Sequence, residues 1–344
     1  MFRKLTIKLL ALAVGCSLVF GLAVQASAAE YIWRCALEEI DGSMQDHYAE
    51  KFVELLEKKS DGKIHVDLYY YGQLGTSEQI TELLQDGSVQ FAFQSPGHLG
   101  SYIPEVQVFS IHYLFPPDKD LLKKVLTQGK HTYNTLQKYY NKNELELLSV
   151  IEEGWQIWTA NKPLRKPSDF EGIKFRVMAS PMLIEAYRAY GANVSTLPYS
   201  EIYSALQLGM IDAQTQPFFA IEEMKFYEQQ KYMIKAYQLP FIATFAANHE
   251  FYQGLPDDIK KIVQEAIKGA NEYIFDFEDS LNQKRKKKIM KKKPDIEYIK
   301  LTEEEIAAFK EKAKAVQEKY LEIGGKGAQE VLDAVKKDVE AVSN

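Results

Sequence analysis

One arginine in the 344-residue sequence stands where side-chain chemistry is called for. In Gly172-Ile-Lys-Phe-Arg-Val-Met178, strand alternation sets Arg176 on the face opposite Phe175 and Val177. A guanidinium near the end of an apolar strand needs an acceptor. Its planar fork takes a carboxylate or similar anion through two parallel hydrogen bonds. Spacing alone permits two partners, an anion from outside or an Asp or Glu of the chain itself. Other chemistry is poorly represented. There is no His-Glu-x-x-His, no Gly-x-Ser-x-Gly, no Gly-x-x-x-x-Gly-Lys and no cysteine pair for a metal. His47, His65, His98, His112, His131 and His249 show no ligand-type spacing, and Gly324-Gly-Lys-Gly327 follows no strand, so it reads as a helix break. Neither a cofactor nor a catalytic constellation is expected.

Arg176 must be held by α/β elements. Tyr31 to Leu37 reads as a strand, and Ser43 caps a helix with Tyr48, Phe52, Leu55 and Leu56 at helical spacing. A turn at Ser60-Asp-Gly-Lys63 leads to an alternating strand from Ile64 to Tyr71, a helix from Ser77 to Leu84 and a strand from Val89 to Phe93. The rhythm restarts with strands at Leu145 to Glu152, Gln156 to Thr159 and Ile173 to Val177. Helices follow at Pro181 to Tyr190 and Ser200 to Leu208, then a short strand at Ile211 to Gln214. Two such units predict an α/β protein of two similar lobes with largely parallel sheets and a cleft between them. Beyond Pro256, helical spacing runs for about 35 residues, or roughly 50 Å. This helix ends in the basic run Lys284 to Lys293, read as a solvated helix end that complements the dipole rather than a nucleic-acid or lipid patch. Thr302 and Glu305 then form a capping box.

With 46% hydrophobic and 26% charged residues, the chain can bury two cores and is no multi-span membrane protein. Its start is a basic segment through Lys8, an apolar run from Leu9 to Val24 and Ala26-Ser27-Ala28, the pattern of a cleavable export signal over residues 1–28. Cleavage there removes Arg3, Lys4 and Lys8 and no acid, taking the formal charge from −6 to −9. So acidic a chain is not expected to bind nucleic acid or an anionic membrane. Cys16 leaves with the signal, and Cys35 remains as a buried small hydrophobe without a disulfide partner.

Four segments carry a resemblance: Lys59-Ser-Asp-Gly-Lys-Ile64 with Gly72-Gln-Leu-Gly75; Pro104-Glu105 leading to Tyr113-Leu-Phe115; Lys166-Pro-Ser-Asp-Phe-Glu-Gly-Ile-Lys-Phe-Arg-Val177; and Pro198-Tyr-Ser-Glu-Ile-Tyr-Ser-Ala-Leu-Gln-Leu-Gly209 with Ile211-Asp-Ala-Gln214. In this order, over nearly the whole mature chain, the sequence resembles the periplasmic solute-binding subunits of tripartite ATP-independent (TRAP) transporters, the DctP-type family. The resemblance implies a two-lobed periplasmic binding protein fold with a central ligand cleft and a long helix spanning both lobes. It implies lobe I at 29–153 and about 242–281, and lobe II at 154–241 and about 282–344. It also implies a periplasmic protein that closes over a small organic acid and docks on two membrane subunits; the export signal and the two-lobe pattern without an obvious exposed apolar stripe lead us to expect a monomer.

Matched residue by residue, Arg176 falls at the family's carboxylate-gripping arginine. Gln216 falls where many members carry Asn, Tyr199 falls at an aromatic position flanking the ligand, and Gln156 falls where several members carry a second Arg. Glu38, Glu39 and Ser95 fall on first-lobe loops facing the cleft. Gln156 in place of Arg points to a monoanion (monocarboxylate, hydroxy or amino acid, or sulfonate) rather than a dicarboxylate. The rival readings are a sensor subunit for a receptor kinase and an exported α/β hydrolase, the latter lacking a visible nucleophile–base pair.

Overall fold

Residues 29–343 are described by a computed structural model, so the export signal expected at 1–28 lies outside the described residues. The first lobe opens with β1 (Tyr31–Ala36), α1 (Met44–Lys59), β2 (Ile64–Tyr69), α2 (Ser77–Gln85) and β3 (Phe91–Gln94). As the βαβ rhythm requires, β1 runs parallel to both β2 and β3. The helices start where the side chains dictate: Ser43 Oγ accepts from Asp46 N at 3.2 Å, and Thr76 with Gln79 closes a capping box on α2. There follow α3 (Pro96–Leu99), a 3-10 segment (Pro104–Ser110), α4 (Lys119–Gln128) and α5 (Lys130–Asn141).

Next comes β4 (Leu145–Ala160), one 16-residue strand where two separate strands were expected. Gly154, at φ +119°, accounts for the difference. It takes up a bend that would strain any other residue, so the ladder shifts register between Glu152 and Ile157 without ending. The second lobe contains β5 (Lys174–Val177), α6 (Pro181–Ala189), β6 (Asn193–Thr196), α7 (Ile202–Gln207), β7 (Ala213–Gln216) and α8 (Phe218–Glu223). Its β5 runs parallel to both β6 and β7. The chain then enters β8 (Tyr232–Asn248), a 17-residue strand antiparallel to β4 along its length. Sequence reading missed β8, because Pro240 interrupts its apolar run. Pro240 sits opposite Trp155 at the β4 irregularity, where a missing N–H does least harm.

A single nine-stranded sheet results, ordered β2-β1-β3-β8-β4-β7-β5-β6, with β9 (Glu297–Lys300) beside β8. A parallel trio lies at each end and the β4–β8 ribbon joins them. Each lobe has its own core. Phe93 and Phe245 lie 4.8 Å apart in the first, where Cys35 is also buried, and Phe175 stacks on Tyr187 at 4.1 Å in the second. After α9 (His249–Gly254) comes α10 (Asp257–Lys292), whose 36 residues match the expected long helix. It packs on α1 in the first lobe and on α8 in the second, so it spans both.

The expected assignment of 282–344 to the second lobe is corrected at the C-terminus. There α11 (Glu303–Ile323) packs on α6 and sends Phe309 into the second core. After the break at Gly324 to Gly327, α12 (Ala328–Ser343) returns to the first lobe against α4 and α5. Its stripe Val331, Leu332 and Val335 is buried in the first core, and Asp338 Oδ2 accepts from both Thr132 N and Thr132 Oγ1 at 2.7 Å.

The hinge glycine gives a stability prediction. A Cβ on Gly154 would lie 2.5 Å from Asn282 Nδ2, which is held by Glu153 O at 2.9 Å and Glu278 Oε1 at 2.8 Å. Gly154→Ala should therefore destabilise the protein by about 1–3 kcal/mol in urea unfolding, and an unchanged midpoint would contradict this reading of the bend.

Candidate functional site

The site is assembled from the carboxyl ends of strands in both lobes, where short loops turn into helices. In the first lobe the β1–α1 loop carries Glu38 and Glu39, both buried. Gln45, on the first turn of α1, fixes this loop: its Oε1 accepts from Glu38 N at 2.8 Å and its N–H donates to Glu39 Oε2 at 3.3 Å. At the end of β3, Ser95 N donates to Glu38 Oε2 at 2.7 Å. In the second lobe Arg176 lies on β5 and is 1% exposed. Its Nε and Nη2 both donate to Leu197 O, at 2.9 and 2.6 Å, just past β6. Gln216 ends β7, and Tyr199 opens the 3-10 turn Tyr199–Glu201.

These residues meet around a cavity of about 30 Å³ lined by Glu38, Glu39, Gln45, Ser77, Ser95, His98, Arg176, Met178, Tyr199, Gln216 and Phe241. Six of the seven residues expected in the site are therefore brought together. Gln156 is not among them. Gln216 pairs with Ile157, and directly opposed residues share a face, so alternation turns Gln156 to the other side of the sheet. It is buried there, its carbonyl accepting from Gln238 Nε2 at 3.2 Å.

Sequence reasoning missed Gln45, Ser77, His98, Met178 and Phe241. Phe241 lies on the unrecognised β8, while Gln45 was legible in principle as a polar residue in the first turn of a capped helix. Met178 closes the cavity from the second lobe: its Sδ lies 3.8 Å from Ser95 Oγ, and a Cβ on Gly97 would come within 2.6 Å of its Cε. The Tyr71 and Tyr199 rings meet edge-to-face across the cleft at 5.7 Å. A second void, of about 190 Å³, adjoins the cavity at Ser77, His98 and Tyr199 and includes the His98–Glu78 pair at 3.1 Å.

Electrostatically the two walls are opposite. Burial brings the Arg176 guanidinium down to about 10, which leaves it cationic at neutral pH, and the titratable groups beside it are the Tyr199 and Tyr71 hydroxyls rather than a carboxylate. The internal ion pair that spacing permitted is therefore absent among the described residues. On the facing wall, burial raises Glu38 against the pull of His98. Burial and the neighbouring Glu153 carboxyl raise Glu39, and burial pushes Glu153 up to about 8.

Behind this wall the basic end of α10 is structural rather than merely solvated. Arg285, Lys288 and Lys292 converge on Glu222 at 2.8, 2.8 and 3.0 Å. Burial alone would raise Glu222, yet these cations hold it at about 2. Arg285 Nη2 also donates to Gly42 O at 2.8 Å, linking the second-lobe helix α8 to the loop that carries Glu38 and Glu39.

Burial, with Glu39 adding and Arg285 opposing, pushes Glu223 up to about 9. Both its oxygens lack a hydrogen-bond donor, since Arg285 Nη2, 3.0 Å away, lies off the bonding direction. Between the unfolded value of about 4.3 and the folded value of about 9, the folded state holds a proton that the unfolded chain has lost, so stability falls as pH rises through that window. Glu223→Gln removes this loss. Its melting-temperature advantage over the parent should grow between about pH 5 and about pH 9, and a pH-independent difference would contradict the assignment.

Residues 37–323 match the family model of bacterial extracellular solute-binding protein, family 7. The ectoine-binding periplasmic protein TeaA of Halomonas elongata is 37% identical, with 98% of each chain covered. The ectoine/5-hydroxyectoine-binding periplasmic protein UehA of Ruegeria pomeroyi is 37% identical, with 96% of each chain covered. The solved structure of the periplasmic ectoine-binding protein of the Halomonas elongata TeaABC TRAP transporter superposes with a TM-score of 0.87 at 37% identity, covering 90% of this chain and 99% of that one. A cleft built at strand ends between two lobes, with one arginine facing buried acids, is thus found in a chain that belongs to the bacterial extracellular solute-binding protein family 7, the periplasmic solute-binding subunits of TRAP transporters.

Proposed function

We propose that this protein captures a compact zwitterion of the ectoine type, a cyclic amino acid derivative, and delivers it to TRAP membrane subunits after export and removal of residues 1–28. One observation carries the reading. Arg176, without a carboxylate partner, stands on one wall of the cavity, and Glu38 and Glu39 stand buried on the other. Ectoine joins a carboxylate to a delocalised amidinium, so a single molecule satisfies both walls. The N–H groups of Arg176 not used by Leu197 suit the carboxylate, with Gln216 beside them, and the glutamates suit the cationic N–H donors. Tyr199 and Phe241 supply the apolar faces for the ring between these ends. This sharpens the monoanion expected from the sequence: the acid group is single, and a cation accompanies it.

Because Arg176 and the glutamates sit on different lobes, such a ligand bridges them and favours the closed arrangement. Binding by one monomer at one site follows. Second-lobe contacts of Met178 and Tyr199 with Gly97, Ser95 and Tyr71 add to closure without touching the charged ends.

Calorimetric titration with ectoine, 5-hydroxyectoine and succinate tests the reading. A second carboxylate against Glu38 and Glu39 is repelled, so the zwitterions should bind at least about a hundredfold more tightly than succinate, with one ligand per chain. Succinate equalling ectoine, or two ligands per chain, would contradict it.

A further inference from the structure

Glu39 on the β1–α1 loop and Glu153 on β4 are both buried, and Gln45 bridges their carboxyl groups. The protein offers the pair few donors. Gln45 N lies 3.3 Å from Glu39 Oε2, Gln45 Nε2 lies 3.2 Å from Glu153 Oε1, and the Ser43 hydroxyl is in reach of Glu39. Glu153 Oε2 has no donor among the described residues.

The other titratable groups facing the pair are mostly acids: Glu38 from the same loop, Glu152 from β4, Glu223 from α8, and the Tyr199 hydroxyl from the turn after β6. The cations around the site are engaged elsewhere. Arg176 donates to Leu197 O, His98 pairs with Glu78, and Arg285 holds Glu222 and Gly42 O. Two buried carboxyl groups bridged by one glutamine, with no cation bonded to either among the described residues, do not both ionise; they hold at least one proton between them.

We propose that capture is an exchange: the Glu39–Glu153 pair gives up its shared proton when the cationic end of the ligand docks on Glu39. The proposal rests on the zwitterion reading above. The O–H bond of the protonated carboxyl breaks, its proton passes to the buffer, and ligand N–H groups donate to Glu39 in its place. The pair gains one negative charge as one positive charge arrives, so the net buried charge is unchanged. A ligand without a cation has nothing to exchange. The shared proton thus filters against plain carboxylates while keeping the ligand-free site from burying two adjacent negative charges.

Titrating the mature protein with ectoine at neutral pH in phosphate and in Tris, whose ionisation enthalpies differ widely, counts the protons released. About one proton per ligand is expected, with affinity rising by up to about tenfold per pH unit below the titration of the pair. Glu153→Gln keeps a hydrogen-bonding partner for Glu39 but removes the shared proton, so the release should fall towards zero and the pH profile flatten. The parent measurement decides the matter whether or not that variant folds. Ectoine binding whose enthalpy is the same in both buffers would overturn the exchange and leave the zwitterion reading standing. No binding of ectoine at all would remove both.

Discussion

A permanent charge buried without a counter-charge is the constraint around which the rest is arranged. Arg176 cannot lose its proton near neutral pH, and its acceptor within the protein is the neutral carbonyl of Leu197. That carbonyl gives the guanidinium direction but no charge compensation, and a buried uncompensated cation is costly. The cost is tolerable because β5 ends at a cleft, where an anion from outside can complete the pairing. Parallel strands β5, β6 and β7 deliver Arg176, Leu197 and Gln216 to the same edge because parallel strands present their carboxyl ends together. In the first lobe, β1 and β3 deliver Glu38, Glu39 and Ser95 by the same rule.

Bringing two such edges face to face is the work of the β4–β8 ribbon and α10. Gly154 on β4 and Tyr237 on β8, at φ +119° and +52°, bend the ribbon between the lobes. Because α10 packs on both lobes, one continuous helix joins them. Arg285 near its far end grips α8 and Gly42 together, so the loop bearing the two glutamates is tied to second-lobe structure outside the cavity. Ligand chemistry and lobe geometry therefore share a few hydrogen bonds.

Much of this was legible in the sequence, for identifiable reasons. Alternation in Lys174 to Val177 isolated Arg176, and glycines and caps marked most element ends. Gln216, Tyr199, Glu38, Glu39 and Ser95 came from the family resemblance, and all five line the cavity. Gln156 falls outside the cavity through parity: one residue along a strand reverses the face, and its register against β7 is a tertiary fact. Pro240 concealed β8, the longest strand. The basic run near the end of α10 looked like a solvated helix end because Glu222, its partner, lies some sixty residues away in sequence. Likewise the return of α12 to the first lobe depends on which apolar faces of α4 and α5 stay uncovered, which no local pattern reveals.

The central claim, that Arg176 is the anion anchor and not part of the scaffold, is tested by measuring apo melting temperature and ectoine affinity on one variant, Arg176→Ala. Removing a buried cation with no acid partner should leave the apo melting temperature unchanged or higher. Two charge-assisted hydrogen bonds at about 1.5–3 kcal/mol each give an expected loss of about 3–6 kcal/mol in binding, a weakening on the order of a hundredfold to ten-thousandfold. Arg176→Lys should recover little of it, since an ammonium lacks the planar fork. A large fall in apo melting temperature with unaltered affinity would contradict the account and return Arg176 to the framework.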